Sequence, residues 1–301
     1  MKRFWKIIFW IAGILAALGL IVGIVGAALG GLEQLEALPE YHFNERTEGH
    51  HIILSNPEVA AVDSKSENME LAAADAVTDL VMEIGGSSVS IEETEGSFYG
   101  ICISGGNHAG YELKDGVLTI QTLGNKPWKG RRGTKSSITL YIPKDNVINS
   151  IEMEIGSGTL RAEKLHANES IRVEAGAGQF ILDGITTERF KIELGAGSAE
   201  LLHADINDMD IDVGAGEMTY QGTVRGNVEA DCGMGSLTMR LEGKKEAFHY
   251  EAESVMGSIR VNGSELIEES GGHHLEDHTS QNMELACVMG NIEIIFEDRK
   301  G

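Results

Sequence analysis

The chain has 301 residues, 42% of them hydrophobic but only 6% aromatic, with 38 glycines against 4 prolines and a formal charge of −23. Of its 24 basic side chains, Lys2, Arg3 and Lys6 precede the first acid at Glu33; the other 21 stand against 47 acidic ones, a balance of −26. Such a surface repels nucleic acid and anionic membranes, which argues against a DNA or RNA partner, and three cysteines make no disulfide framework.

Residues 1–6 form a basic flank, and residues 7–32 carry no charge at all. A run of that length crosses a hydrocarbon core of ~30 Å as a helix, so it predicts a transmembrane span. With Lys2, Arg3 and Lys6 before it and Glu33, Glu36 and Glu40 after it, the N-terminus is expected in the cytoplasm and the remainder outside, anchored to the cell membrane by a single pass. Trp5 and Trp10 sit where an interfacial aromatic belt would lie. The competing reading is a cleaved signal peptide with Val25-Gly26-Ala27 as its cleavage site, but the apolar core exceeds the usual 7–15 residues. Both readings export the rest of the chain. The small-residue spacings Gly19-x-x-x-Gly23 and Gly26-x-x-x-Gly30 suit self-association through the span. Residues 33–56 read as a juxtamembrane linker in which His42, His50 and His51 are solvated.

Residues 57–150 carry alternating runs in a degenerate form. Within them, the segment from Gly124 to Ser137 is the one basic patch beyond the membrane, with Lys126, Trp128, Lys129, Arg131, Arg132 and Lys135. It breaks the strand pattern and reads as a loop. An aromatic among cations can meet an acidic partner, a phosphate-bearing wall polymer or a lipid headgroup; the alternative is a solvated loop that pairs with the chain's own acidic surface.

Residues 151–298 form the regular part. IEMEIGSGTLRA, IRVEAGAGQFIL, KIELGAGSAELL, DIDVGAGEMTYQ and VEADCGMGSLTM write one pattern five times, and their second glycines (Gly158, Gly178, Gly197, Gly216, Gly235) lie 20, 19, 19 and 19 residues apart. A fixed period of that size marks a repeat architecture, here an all-β, single-stranded β-solenoid or β-roll. Because side chains alternate across a strand, three columns face inward: Ile155, Ala175, Leu194, Val213 and Cys232 before the glycine, then Leu160, Phe180, Ala199, Met218 and Leu237, and Ala162, Leu182, Leu201, Tyr220 and Met239 after it. The frame extends to VMEIGGSSVSIE in front, with Ile84 and Val89 inward. Behind, EAESVMGSIRV and MELACVMGNIEI place Ser254, Ile259, Cys287 and Ile292 inward, with Val255 and Val288 in place of the first glycine. The glycines supply tight corners or positive φ. A phosphate cradle would need a helix after them, and another strand follows instead.

The outward column is acidic: Glu83, Glu154, Glu174, Glu193, Asp212, Asp231 and Glu253. Stacked carboxylates about 5 Å apart cost under about 1 kcal/mol per pair in water, and Arg172 and Lys191 in the flanking column relieve them. A solubilising face that blocks edge pairing accounts for the ladder; weak divalent-cation binding is the second reading. The calcium nonapeptide is absent, since hydrophobic residues stand where its aspartate would be. Cys232 and Cys287 share a column but are two copies apart, about 10 Å, beyond the ~7 Å a bridge tolerates; they read as small buried hydrophobes. His273, His274, Glu276, Asp277 and His278 lie in an acidic loop without a helix to give His274 and His278 a ligand geometry. No Ser/His/Asp or nucleophilic Cys constellation is readable and the acids are spread evenly, so neither catalysis nor a cofactor or structural metal is expected.

The run SSITLYIPKDNVINSIEMEIGSGTLRAEKL, followed by repeated GAG copies behind an N-terminal span, resembles the bacterial family labelled "putative adhesin", a domain of unknown function built of β-strand repeats. The resemblance covers roughly residues 60–296. It implies a membrane-anchored β-solenoid without catalytic residues, and in some members proximity to envelope-stress systems. The function expected is a non-enzymatic, extracytoplasmic envelope interaction or stress-sensing scaffold that meets another envelope protein or a surface polymer. A cell-surface adhesin for carbohydrate or matrix is the alternative.

Overall fold

The computed structural model describes residues 60–62, 69–73, 76–95, 97–104, 108–123, 137–144, 148–266 and 281–297, all within the compact unit 45–301. The expected span, the linker, the basic segment 124–136 and the histidine-bearing loop 267–280 lie outside the described residues. Among the described residues no helix is long and apolar enough to cross a membrane.

The regular part is a stack of parallel coils. Strands β8 (Ile148–Glu163) and β9 (His166–Asp183) run straight through the Gly-x-Gly corner, and β10 (Thr186–Val213) continues through a second corner into the next coil. Strands β11 (Glu217–Val224), β12 (Val228–Cys232) and β13 (Ser236–Glu242) complete the following coils. Register is strict: Ile151 pairs with Ile171, Ile171 with Phe190, and Met209 with Val228. Inward apolar residues therefore sit on inward apolar residues, and their columns fuse into one apolar cluster. Phe180, Leu201, Met218 and Leu237 have no exposed surface. At three corners the second glycine takes positive φ (Gly158 +127°, Gly178 +144°, Gly197 +112°).

Chain order and stacking order part company at both ends. Strand β3 (Asp79–Thr94) lies beside β8, pairing Glu83 with Glu154 and Val89 with Leu160. On its other side lie β6 (Val117–Leu123) and β7 (Ser137–Pro143), which share a coil. Beyond it β4 (Phe98–Ser104) and β5 (His108–Lys114) pair antiparallel with β7 and β6. Strands β2 (Met69–Ala73) and β1 (Ala60–Val62) add antiparallel partners to β4 and β5. The degenerate half therefore adds the coil of β3 and the parallel strands β6 and β7 to the stack, while β4 and β5 run the other way, a reversal that alternation alone does not encode.

At the other end, β14 (Phe248–Ser254), β15 (Ser258–Val261) and the short β16 (Ser264–Glu265) form the terminal coil. The last copy, β17 (Gln281–Cys287) and β18 (Asn291–Glu297), slots between that coil and β12/β13. Its entry is pinned where Asn282 N–H donates to Asn227 Oδ1 at 2.9 Å, while Asn227 N–H donates to Asp208 Oδ1 at 2.8 Å. Two expectations are corrected by this insertion. Cys232 and Cys287 are register partners on neighbouring strands rather than two copies apart. Ser254, expected inward, is exposed, its coil being the last of the stack among the described residues; its hydroxyl donates to Gly257 O at 2.8 Å.

Candidate functional site: the outward acidic face

Parallel register turns each outward sequence column into a ladder. Glu83, Glu154, Glu174 and Glu193 are consecutive partners, and Asp212 pairs with Asp231. The next rung breaks the series: Asp231 and Glu253 both pair with Ala286 of the inserted copy, so these two acids are not neighbours.

The ladder divides electrically. In its middle, Arg172 Nη2 lies 2.6 Å from Glu174 Oε1 and 3.1 Å from Glu193 Oε1, and Lys191 Nζ lies 3.3 Å from Glu193 Oε1 and 2.8 Å from Asp210 Oδ2. The hydrogen bond to Glu174 raises the Arg172 pKa, and that to Asp210 raises the Lys191 pKa. Toward the inserted copy the flanking column turns acidic, with Asp210, Glu229, Glu284 and Glu251 in succession. Among the described residues no ion pair reaches Asp212 or Asp231. Burial, then Glu193, pushes the Asp212 carboxyl up to about 6; burial, then Asp212 and Glu229, pushes Asp231 up to about 7. A shallow groove of about 530 Å³ follows this gradient from Arg172, Arg189 and Lys191 to Asp208, Glu229 and Glu284. Among the described residues no group of three His, Cys, Asp or Glu side chains is arranged to hold a metal ion.

Because Arg172 bridges two rungs, Arg172→Met is expected to lower stability by about 1 kcal/mol in dilute buffer. The loss should shrink toward zero at 1 M salt, where charges are screened within ~3 Å; denaturant titration at the two salt concentrations reads this.

A second surface was missed by the column reading. Met234, Met289 and Met256 stand exposed at the corner on three successive coils, Met256 at 71%. Met289 N–H donates to Gly233 O and Met256 N–H to Val288 O, both at 2.8 Å, which stacks them. The signal was in the middle of the triplet, where Ser157, Ala177, Ala196 and Ala215 give way to methionine. Of the sequence-level candidates, the ladder acids are gathered on one face, whereas Lys126, Trp128, Lys129, Arg131, Arg132 and Lys135 lie outside the described residues.

Coils stacked in register around one apolar cluster define an all-β protein of the β-solenoid-like class. The chain belongs to the Toastrack DUF4097 family, whose model matches residues 77–261 and, overlapping, 169–295. Among solved structures it is similar to a "putative adhesin" from Bacteroides fragilis (12% identity, 79% of this chain and 97% of that one, TM-score 0.43). It is also similar to one from Parabacteroides distasonis (13% identity, 80% and 98%, TM-score 0.39) and to a "putative cell adhesion protein" from Clostridium sporogenes (14% identity, 77% and 98%, TM-score 0.33). No curated protein matches.

Proposed function

We propose that this chain is a non-enzymatic, single-pass membrane protein whose exported β-solenoid acts as an envelope interaction or stress-sensing scaffold. The observation that carries the reading is the polarised face. One surface runs from the paired cations and acids at Arg172, Lys191 and Asp210 to Glu229 and Glu284, which have no ion pair among the described residues. Such a gradient orients a partner of opposite pattern more than it adds affinity. The adjacent methionine corner supplies adaptable apolar area of the kind protein interfaces use. The uncharged run 7–32 supports the anchor. A carbohydrate-binding adhesin would instead call for exposed aromatic rings on which sugar faces stack, and Phe98 is the exposed aromatic among the large hydrophobics described.

The test is crosslinking in intact cells through a tag after Gly301. It compares the wild type with a variant neutralised at Lys126, Lys129, Arg131, Arg132 and Lys135 and with an Asp210→Asn, Glu229→Gln, Glu284→Gln variant. Recovery of a defined membrane protein, reduced at least about fivefold in one variant, is expected. Recovery of glycans alone would establish the adhesin instead, and recovery of nothing would reject a stable partner.

A further inference from the structure

The buried sulfurs at the inserted copy are the other unassigned chemistry in the fold. Cys232 and Cys287 are Cα partners at the end of the β12–β17 ladder. Neighbouring strands lie about 4.8 Å apart, inside the 4.4–6.8 Å range of bridged Cα atoms. In parallel register the two side chains point the same way, and each is 1% exposed. The Cys232 sulfur leans onto the coil that carries Cys287: a Cβ at Gly290 would sit 2.8 Å from it. Both are free thiols in this structure. Cys102 lies elsewhere, on β4 opposite Thr139.

We propose that Cys232 and Cys287 form an intrachain disulfide that fastens the inserted copy to the coil beside it. The oxidant is a disulfide acting by thiol–disulfide exchange. One cysteine thiolate attacks it, giving a mixed disulfide and releasing one oxidant thiolate. The second cysteine thiolate then attacks the protein-bound sulfur, closing the S–S bond and expelling the second oxidant thiolate. The two thiol protons end on the two oxidant thiols, and two electrons pass from the cysteines to the oxidant. Burial, then Cys287, pushes the Cys232 thiol up to about 11, and burial raises Cys287 as well. Thiols so held are protonated and unreactive in the closed stack, so exchange takes place before the last copy seats. The bridge closes a loop that contains β13 to β16 and the segment 267–280, and a loop of that length gains substantially from closure.

The experiment is refolding of the full-length chain in excess glutathione disulfide. Thiols are then counted in denaturant with an aromatic disulfide reagent, and peptides are mapped without reduction. One thiol per chain, that of Cys102, and a linked Cys232–Cys287 peptide are expected. Reduction should lower Tm by roughly 5–15 °C. In Cys232→Ser two thiols should remain and Tm should no longer respond to reductant. Three free thiols in the wild type, or a bridge through Cys102, overturns the proposal, and the wild-type count and map decide it even if the variant fails to fold.

Discussion

Gly178→Ala is expected to cost more than about 4 kcal/mol, whereas Gly243→Ala is expected to cost only about 1–3 kcal/mol. The two glycines hold nearly the same backbone angle, φ +144° and +145°. Their surroundings differ. A Cβ at Gly178 would collide with the carbonyl oxygen of Gly158 on the coil below, while one at Gly243 would meet nothing within 4 Å. The comparison separates intrinsic strain, common to both, from the collision, which belongs to the stack alone. Because Gly178 also pairs with Gly197 above it, movement to relieve the clash would disturb two interfaces, and a loss above about 4 kcal/mol follows. Denaturant melts of the two variants measure it; equal losses would show that the corner has room to give.

Asp231→Asn should stabilise the protein at pH 8 and leave it nearly unchanged at pH 4. The folded carboxyl titrates at about 7 against a reference of 3.8. The folded state therefore keeps a proton that the unfolded state has released between those values. Its contribution is fully present below about pH 4 and disappears as pH rises through about 7. At ~1.4 kcal/mol per pH unit the ceiling is about 4 kcal/mol, and partial access of water brings the expected gain to about 1–3 kcal/mol. Asp212 is one source of the rise, so Asp212→Asn should give part of the same gain, and the double variant less than the sum. A pH-independent gain would locate the effect outside the charge.

These two sites illustrate what was legible from residues alone. The inward columns follow from period-2 alternation, and Ile155, Leu160 and Ala162 with their successors are buried as expected. The relief of Glu174 and Glu193 by Arg172 and Lys191 was also readable, because a column in sequence becomes a ladder in register. Stacking order was not readable. Each coil offers the same apolar floor and ceiling, so the copy at 281–297 fits beside 228–242 as well as the copy at 248–261 does. The choice rests on particular contacts, such as Asn227 with Asn282. The error over Cys232 and Cys287 follows directly, since the distance was counted along the chain. Direction was equally silent: Phe98–Ser104 alternates like its neighbours yet runs antiparallel to β7.

The insertion of β17 and β18 also orders events in time. A chain that emerges from its N-terminus can add the coils from β8 to β13 one upon another as they appear. It cannot add β14 and β15 in that way, because their described partners in the stack are β17 and β18, made later. Residues 248–261 must wait, with Phe248 and Ile259 uncovered, until the final 20 or so residues arrive and wedge in beneath them. The C-terminal copy is therefore a keystone: a chain cut short before Gln281 loses the docking of two coils, although it lacks the sequence of only one.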